Sequence, residues 1–303
     1  MISREKELKL IAIYLYICDL YDSTLNHECQ RFSNNAKPEF TDQELMTIYL
    51  FAGYEQRYFQ IKEIHSFTKD YLLNWFPKLP SYQTFSYRLN LLTGAFQVLV
   101  NKLISSFKPA NCSDLFSIVD SMPIITSGSK NRTGKVASEI TSKGFCSTKN
   151  LFYYGCKIHT MASVRQGIIP FPESIIITPA EDNDLTAFKQ AWGDNIFSKV
   201  ILGDKIYSDK EYFNSNKRIT QDIEMLTPVK GIKGQTDEIK QRDKAFNDLF
   251  SRSVSKLRQP IESFFNWLNE KTKIQRAMKV RSTAGLLIHL YGKMSIAFVN
   301  LIF

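Results

Sequence analysis

The sequence has few cysteines and histidines, and none of them stands in a metal-binding motif. The cysteines are Cys18, Cys29, Cys112, Cys146 and Cys156, with no two at CxxC spacing, and the four histidines are equally dispersed. A disulfide framework and a structural zinc site both require such ligands in closely spaced sets. The pattern therefore argues against both, and reduced thiols favour a cytoplasmic protein.

Apolar stretches long enough to cross a membrane are also scarce. The run from Leu10 to Cys18 is too short to span a bilayer, and the mixed charge before it, without a cleavage pattern, is unlike a signal peptide. The stretch from Ala284 to Phe303 is longer, but a histidine, a glycine, a lysine and an asparagine interrupt it. This composition favours a terminal helix packed on the protein core over a membrane span.

Negative charge is in deficit. The 303 residues include 39 Lys and Arg but only 30 Asp and Glu, which gives a formal net charge of +9. Such an excess favours a polyanionic partner, most often nucleic acid, although an ordinary basic protein has similar numbers. Hydrophobic residues make up 44% of the chain and aromatic residues 13%, which is enough for a buried core.

Apolar spacing predicts a helical N-terminal part, to about residue 108. Apolar residues recur at spacings of three and four through Leu8–Leu20 and Leu45–Phe51, and Thr41 with Glu44 forms a capping-box signal before the second run. A further helix is predicted after the turn at Pro80-Ser81. It has the pattern of the second helix of a helix-turn-helix, but also that of any amphipathic helix in a bundle, and both interpretations stay open.

The rest of the chain predicts a mixed α/β fold with an antiparallel start. Short apolar runs rich in β-branched residues predict the strands Leu115–Asp120, Phe152–Ser163, Ile168–Thr178, Lys199–Gly203 and Ile223–Val229. The third of these carries two prolines, which indicates an edge strand. Helices are predicted over Leu185–Trp192, over Asp209–Asn214 and from Asp237 to the end.

A polar loop is predicted over residues 124–150. Its segment from Lys130 to Lys149 contains five lysines and arginines but one acidic residue, Glu139. The segment is either a DNA-gripping element or a mobile surface loop, and phosphate contacts there would make DNA binding depend steeply on salt.

Two aspartates directly follow buried apolar runs. Asp120 comes after Ile118-Val119, and Asp204 comes after the run from Val200 to Gly203. Carboxylates at the ends of neighbouring strands would lie close together and repel, and a cation relieves that repulsion. Hard oxygen ligands suit Mg²⁺ or Mn²⁺.

A third acid, Glu262, lies in the first turn of a predicted amphipathic helix. The apolar stripe of this helix is Ile261, Phe264, Phe265 and Leu268, and Glu262 falls at the edge of the stripe, from where it can lean toward the two aspartates. Three carboxylates can hold the two metal ions that cleave a phosphodiester. By pattern alone, a turn residue, a cap or a helix-dipole partner explains each acid as well.

Several segments together resemble bacterial insertion-sequence transposases of the DDE type. The resemblance runs from about residue 113 to 300 and rests on Ile118–Pro123, Tyr153–His159, Thr178–Asp184, Leu202–Tyr207 and Arg258–Phe265. The loop from Lys143 to Ser147 is similar to that of the 982 group of insertion sequences. Relatives often carry Tyr, Lys and Gly where this chain has Ser255, Asn269 and Ile206.

The resemblance implies a helical DNA-binding region over 1–110, like a helix-turn-helix, and an RNase H-like catalytic domain with C-terminal helices over 111–303. It implies a transposase, both endonuclease and strand transferase, with Asp120, Asp204 and Glu262 as catalytic residues and ligands of two Mg²⁺ ions that Mn²⁺ can replace. The expected partner is double-stranded DNA, both the terminal inverted repeats and the target, and no membrane association is expected. A homodimer is expected because two DNA ends must meet. The protein is expected to be cytoplasmic and to associate with the bacterial nucleoid when it is bound to DNA.

Basic residues near the predicted motifs are the expected DNA contacts. Arg258 is expected to contact phosphate near the cut, and the other candidates are Arg88, Lys157, Lys205, Lys271 and Lys273. His159 shares a strand face with Lys157, and a hydrogen bond within the sheet is the favoured interpretation of it over DNA contact. The alternatives to a transposase are a catalytically inactive DNA-binding relative and a metal-dependent nuclease on the same fold that does not join strands.

Overall fold

The structure is a computed structural model that describes residues 2–30, 38–128, 135–146, 150–229 and 236–302. The chain forms two compact units. The first, the helical unit, comprises residues 1–107, 135–139 and 268–303; the second, the sheet unit, comprises residues 108–134 and 140–267.

The helical unit contains most of the helices expected from the apolar spacing. Its helices are α1 (Arg4–Ser23), α2 (Asp42–Gln56), α3 (Ile61–Tyr71), α4 (Tyr82–Leu91), α5 (Thr93–Ser106), α11 (Thr283–Leu287) and α12 (Lys293–Ile302), and a π-helical segment, Ile288–Gly292, joins the last two. The predicted capping box is confirmed: the Glu44 backbone N–H donates to Thr41 Oγ1 at 3.2 Å, and the Glu44 side chain accepts from the Thr41 backbone. Because this box satisfies N–H groups at the helix start, α2 begins where the sequence predicts.

The C-terminal helical stretch packs inside the helical unit. The window Thr283–Leu301 is apolar and long enough to cross a membrane by length and composition alone, but 67% of it is buried within the protein. Helix α12 contacts α2 and α5, and Gly53 of α2 lies directly against the Ile296 side chain. The predicted packing on a protein core is confirmed. The sequence interpretation assigned the C-terminal helices to the catalytic domain, whereas residues 268–303 belong to the helical unit. Helix α12 buries its apolar side chains against α2 and α5 of that unit.

The sheet unit is built on six strands. They are β1 (Phe116–Gly128), β2 (Ser142–Cys146), β3 (Leu151–Ser163), β4 (Phe171–Pro179), β5 (Lys199–Leu202) and β6 (Ile223–Leu226), in the order β2-β3-β1-β5-β6. Strand β1 runs antiparallel to β3 and parallel to β5, which pairs in parallel with β6. Strands β2 and β4 both pair antiparallel with β3, β2 along residues 151–155 and β4 along residues 156–163. This mixed sheet, flanked by helices, is an RNase H-like fold, as the resemblance implied.

The predicted polar loop over residues 124–150 is wrong in two segments. Residues 124–128 continue β1 and residues 142–146 form β2, so much of the predicted polar loop is paired strand. Both segments pair antiparallel with β3, which satisfies their backbone hydrogen-bonding groups, and the β-branched residues Ile124, Ile125 and Thr126 also favour a strand. Of the basic segment, Lys130, Arg132 and Lys149 lie outside the described residues.

One face of the sheet carries a compact apolar core. Val119 and Met161 from the sheet pack with Phe188 and Trp192 of helix α6 (Asp184–Ala191), and with Tyr207 after β5. The short helices α7 (Lys210–Phe213) and α8 (Asn216–Thr220) follow, and α9 (Asp237–Arg258) and α10 (Pro260–Thr272) come after β6. This core fixes the ends of β1 and β5, from which the candidate site is built.

Candidate active site

The parallel pairing of β5 with β1 ends the same number of residues before Asp120 as before Asp204. The pairing joins Phe116 to Val200 and Ile118 to Leu202, so the residue numbers in each pair differ by 84. Asp120 and Asp204 also differ by 84, and each lies two residues beyond the last pair. Side chains alternate along a strand, so Asp120 lies on the same face of β1 as Ile118.

Asp120 lies in the interior of β1 rather than at its end, which corrects the prediction from sequence. It nevertheless stands at a rim, because β5 stops opposite Ile118 while β1 continues alongside β3. The apolar run before Asp120 marks the part of β1 that β5 covers. The β-branched residues Ile124, Ile125 and Thr126 favour a strand beyond it, but the sequence interpretation assigned them to a loop.

The Asp120 carboxylate is mostly buried and receives two hydrogen bonds. The Ser121 backbone N–H donates to its Oδ1 at 2.8 Å, and Arg258 Nη1 donates to its Oδ2 at 2.7 Å. Burial raises the pKa of Asp120 to about 6, and the negative charges of Asp184 and Asp204 add to the rise, while the Arg258 guanidinium opposes it. Asp120 is thus a carboxylate that one positive charge does not fully compensate.

Glu262 shares the same guanidinium. Arg258 ends α9 and Glu262 lies in the first turn of α10, and Arg258 Nη2 donates to Glu262 Oε1 at 3.1 Å. The side chain of Arg258 is 15% exposed and that of Glu262 is 57% exposed. A single arginine therefore bridges two of the three predicted acids, and Glu262 leans toward Asp120 as its helix position suggested.

Asp184 is a fourth acid at this place, and the sequence interpretation missed it. Its Oδ2 accepts from Ser121 Oγ at 2.9 Å and its Oδ1 accepts from Lys157 Nζ at 2.8 Å. The Lys157 ammonium also donates to the Asp182 carbonyl at 2.7 Å. Asp184 lies in the segment Thr178–Asp184 that resembles the transposases, but its place at the acidic start of α6, which Asn183 caps, indicates a helix start rather than a site.

His159 and Tyr207 line the buried side of this cluster. His159 is fully buried, and its Nε2 lies 2.8 Å from Thr178 Oγ1, so the favoured interpretation of a hydrogen bond within the sheet is confirmed. Burial lowers the pKa of His159 to about 4, which keeps the ring neutral. Burial raises the pKa of the Tyr207 hydroxyl well above its usual value, and that hydroxyl has no hydrogen-bond partner among the described residues.

The comparison with protein families decides the family. Residues 112–299 match the family model of the transposase DDE domain. The chain belongs to the DDE transposase family. A comparison with curated proteins found no match. The matched segment includes Asp120, Asp204 and Glu262, so all three acids lie within the transposase domain.

DDE transposases generally use divalent metal ions. Within the ranges that the structure describes, no three Asp, Glu, His or Cys side chains are gathered closely enough to hold one. The donor chemistry nevertheless fits a hard cation. Asp120 is a mostly buried carboxylate with a raised pKa, the charge of Asp204 acts on it, and the exposed Glu262 is bonded to the same guanidinium. Arg258 supplies this positive charge here.

The other cations expected to contact DNA occupy different environments in this transposase. Arg88 is buried and donates to Asp42 Oδ1 at 2.8 Å, and Lys157 is paired with Asp184, so neither presents its charge to solvent. Lys205 is exposed beside Asp204. Lys271 is half-buried and Lys273 is exposed, and both belong to the helical unit.

Asn269, where relatives often carry a lysine, has a structural role. Its side-chain oxygen accepts from the Gln275 backbone N–H at 3.2 Å, and its carbonyl accepts from the Lys273 N–H. The residue thus satisfies backbone groups where α10 ends.

Proposed function

We propose that this transposase cuts DNA at the ends of an insertion sequence and joins the ends to target DNA, with Asp120, Asp204 and Glu262 as ligands of two Mg²⁺ ions. The observation that carries the proposal is the equal distance in sequence of Asp120 and Asp204 from the last β1–β5 pair, together with the Arg258 guanidinium that bonds to both Asp120 and Glu262. When bound, the metal ions would activate the attacking oxygen and stabilise the leaving one.

The protein's own residues position these acids. The sheet fixes Asp120, because its backbone is paired with β3 and its neighbour Ser121 is anchored to Asp184. Glu262 is carried by helix α10 and remains more than half exposed, so it can move toward incoming ligands. Rigid aspartates with one adjustable glutamate suit a site that must accept both a phosphate and water.

In this proposal Arg258 has one role in the free protein and another when metal ions and DNA are bound. Without ligands it compensates Asp120 and Glu262, as seen here. With bound metal ions compensating the acids, the Arg258 guanidinium would be free to pair with a backbone phosphate of DNA, for which its planar set of donors is well suited. Lys205, next to Asp204, supplies an exposed positive charge.

We also propose that the exposed face of α4 reads the terminal repeats. Ser81 caps this helix, and Gln83, Thr84 and Tyr87 are exposed along it, with Tyr87 at 66%. The connection from α3 spans residues 72–81, longer than the roughly three to four residues of a typical helix-turn-helix. The recognition helix would therefore be presented by a longer turn than the sequence interpretation assumed.

A joining assay tests the proposed function. A labelled DNA fragment that carries the repeats flanking the gene is incubated with the protein and target plasmid, with Mg²⁺ or with EDTA. Joined product that requires the metal supports a transposase, and a dimer on paired ends in the same reaction supports the expected homodimer. Cut but unjoined DNA would indicate a nuclease, and binding without cleavage in any metal would contradict the enzymatic proposal.

A further inference from the structure

A groove lies beside Asp204, between the end of β5 and helix α9. Its volume is about 490 Å³, and its lining residues are Asp204, Lys205, Pro228, Ser251, Arg252 and Ser255. The last three lie on one side of α9, where residues three and four apart are neighbours. This volume falls within the range of about 300–1,000 Å³ that is typical of ligand sites.

Two uncompensated positive charges line this groove. Lys205 and Arg252 are both exposed, and neither forms an ion pair within the described parts of the chain. Other arginines of α9 are paired: Arg258 with Asp120 and Glu262, and Arg242 with Asp243. Two free cations on opposite walls of one groove favour an anionic ligand.

Hydroxyl groups and a fixed wall complete the groove. Ser251 Oγ accepts from the Val229 backbone N–H at 3.0 Å, which ties α9 to the segment after β6. Ser255 is exposed and small, so it leaves the groove open and offers a hydroxyl donor. The carboxylate of Asp204 repels an anion at its own end, which places the anion toward Arg252.

We propose that this groove binds one backbone phosphate of the DNA strand, next to the phosphate that is cut, with Arg252 and Lys205 as its charge partners. The inference rests on the proposed function, because it takes the substrate to be DNA whose cut phosphate lies at Asp204. It adds a phosphate-binding site that adjoins the acidic cluster at Asp204, and this site holds the strand in register without reading its sequence.

A thermodynamic cycle between protein and DNA tests the inference. Wild type and Arg252→Gln are each bound to terminal-repeat duplexes in which a single phosphate, at successive positions around the cut, is replaced by a neutral methylphosphonate. Arg252→Gln is expected to weaken binding to unmodified DNA about tenfold and to lower the salt dependence by about one counterion. At one position beside the cut, the methylphosphonate should remove the same affinity, and Arg252→Gln should then add less than about a twofold loss.

Two further variants sharpen the test. Lys256→Gln is the matched control, since Lys256 is exposed on the same helix but does not line the groove, and its effect should be additive with every methylphosphonate. Ser255→Leu fills the groove without removing charge or adding a donor, and it should abolish the coupling of Arg252 to that one position.

The outcomes separate this inference from the proposed function. If wild type binds and cuts the unmodified duplex but Arg252→Gln is additive at every position, the groove does not hold a phosphate and the inference is overturned. If wild type neither binds nor cuts the duplex, the proposed function itself is contradicted.

Discussion

Arg258 Nη1 lies 2.7 Å from Oδ2 of Asp120, across 138 residues of sequence. The pair joins the end of α9 to the central strand, and the side chains are 15% and 21% exposed. Arg258 is the only hydrogen-bond partner of Asp120 Oδ2 among the described residues, so the pairing bears on stability and, in the proposed function, on metal binding.

The first prediction removes this pairing. Arg258→Gln leaves a mostly buried carboxylate without its cation, so in EDTA the free energy of unfolding should fall by about 1–3 kcal/mol. Denaturant titration measures it. Arg252→Gln, an exposed arginine of the same helix, should change stability by less than about 0.5 kcal/mol. Equal stability of the two variants would show that the Arg258 pairing contributes little.

The second prediction concerns the Asp184–Lys157 pair. Asp184→Asn leaves the Lys157 ammonium with one carbonyl partner in a largely buried place, which should cost about 3 kcal/mol. The double variant with Lys157→Met should recover part of that loss, because no unpaired charge remains. Asp114→Asn, which breaks the exposed pair with Lys108, should cost less than about 1 kcal/mol. Additive losses in the double variant would contradict the pairing.

The third prediction tests the close approach of β1 and β3. A Cβ at Gly155 would overlap the Ile124 carbonyl oxygen, so Gly155→Ala must push apart the strand that carries Asp120. Unfolding free energy should fall by about 1–3 kcal/mol or more. A Cβ at Gly128, at the end of β1, meets no atom within 4 Å, so Gly128→Ala should be tolerated. Thermal melts of both variants decide between these outcomes.

The fourth prediction is a pH dependence from the helical unit. Lys293 is 4% exposed and donates to the Lys273 carbonyl, and burial lowers its pKa to about 7 from the ordinary 10.5. Between these two pKa values the unfolded chain binds more protons than the folded one, so this group makes stability rise with pH, by up to about 1.4 kcal/mol per unit.

Lys293→Met should remove that slope. Stability measured at several pH values from 7 to 10 should rise less steeply in the variant than in wild type. Parallel curves would mean that the Lys293 amine stays charged in the folded protein.

The local pattern of the chain predicted the elements that depend on short stretches. Thr41 and Glu44 lie three residues apart, so their capping box is visible in sequence, and the apolar run before Asp204 defines β5. The equal distance in sequence of Asp120 and Asp204 from the last β1–β5 pair also follows once β1 and β5 are paired, because the residue offset is shared.

The features that were missed depend on distant pairing. The segment Ser142–Cys146 has the polar, glycine-containing composition of a loop, and it forms a strand because it pairs with β3. In sequence, Asp184 has only the pattern of a helix start. Its role at the site depends on Lys157 of β3 and Ser121 of β1, which the fold brings to it. The burial of Arg88 is likewise set by Asp42 of another helix, which no spacing within α4 indicates.

The most direct test of the central claim is strand transfer by Glu262→Gln. The assay uses the labelled repeat-bearing fragment with Mg²⁺, and its matched control is Glu270→Gln, an exposed acid eight residues further along α10. We predict joined product from wild type and from Glu270→Gln, a loss of at least about 100-fold in Glu262→Gln, and no loss of DNA binding in either variant. Joined product from Glu262→Gln at the wild-type rate would contradict the account, because Glu262 would then not be the third acid.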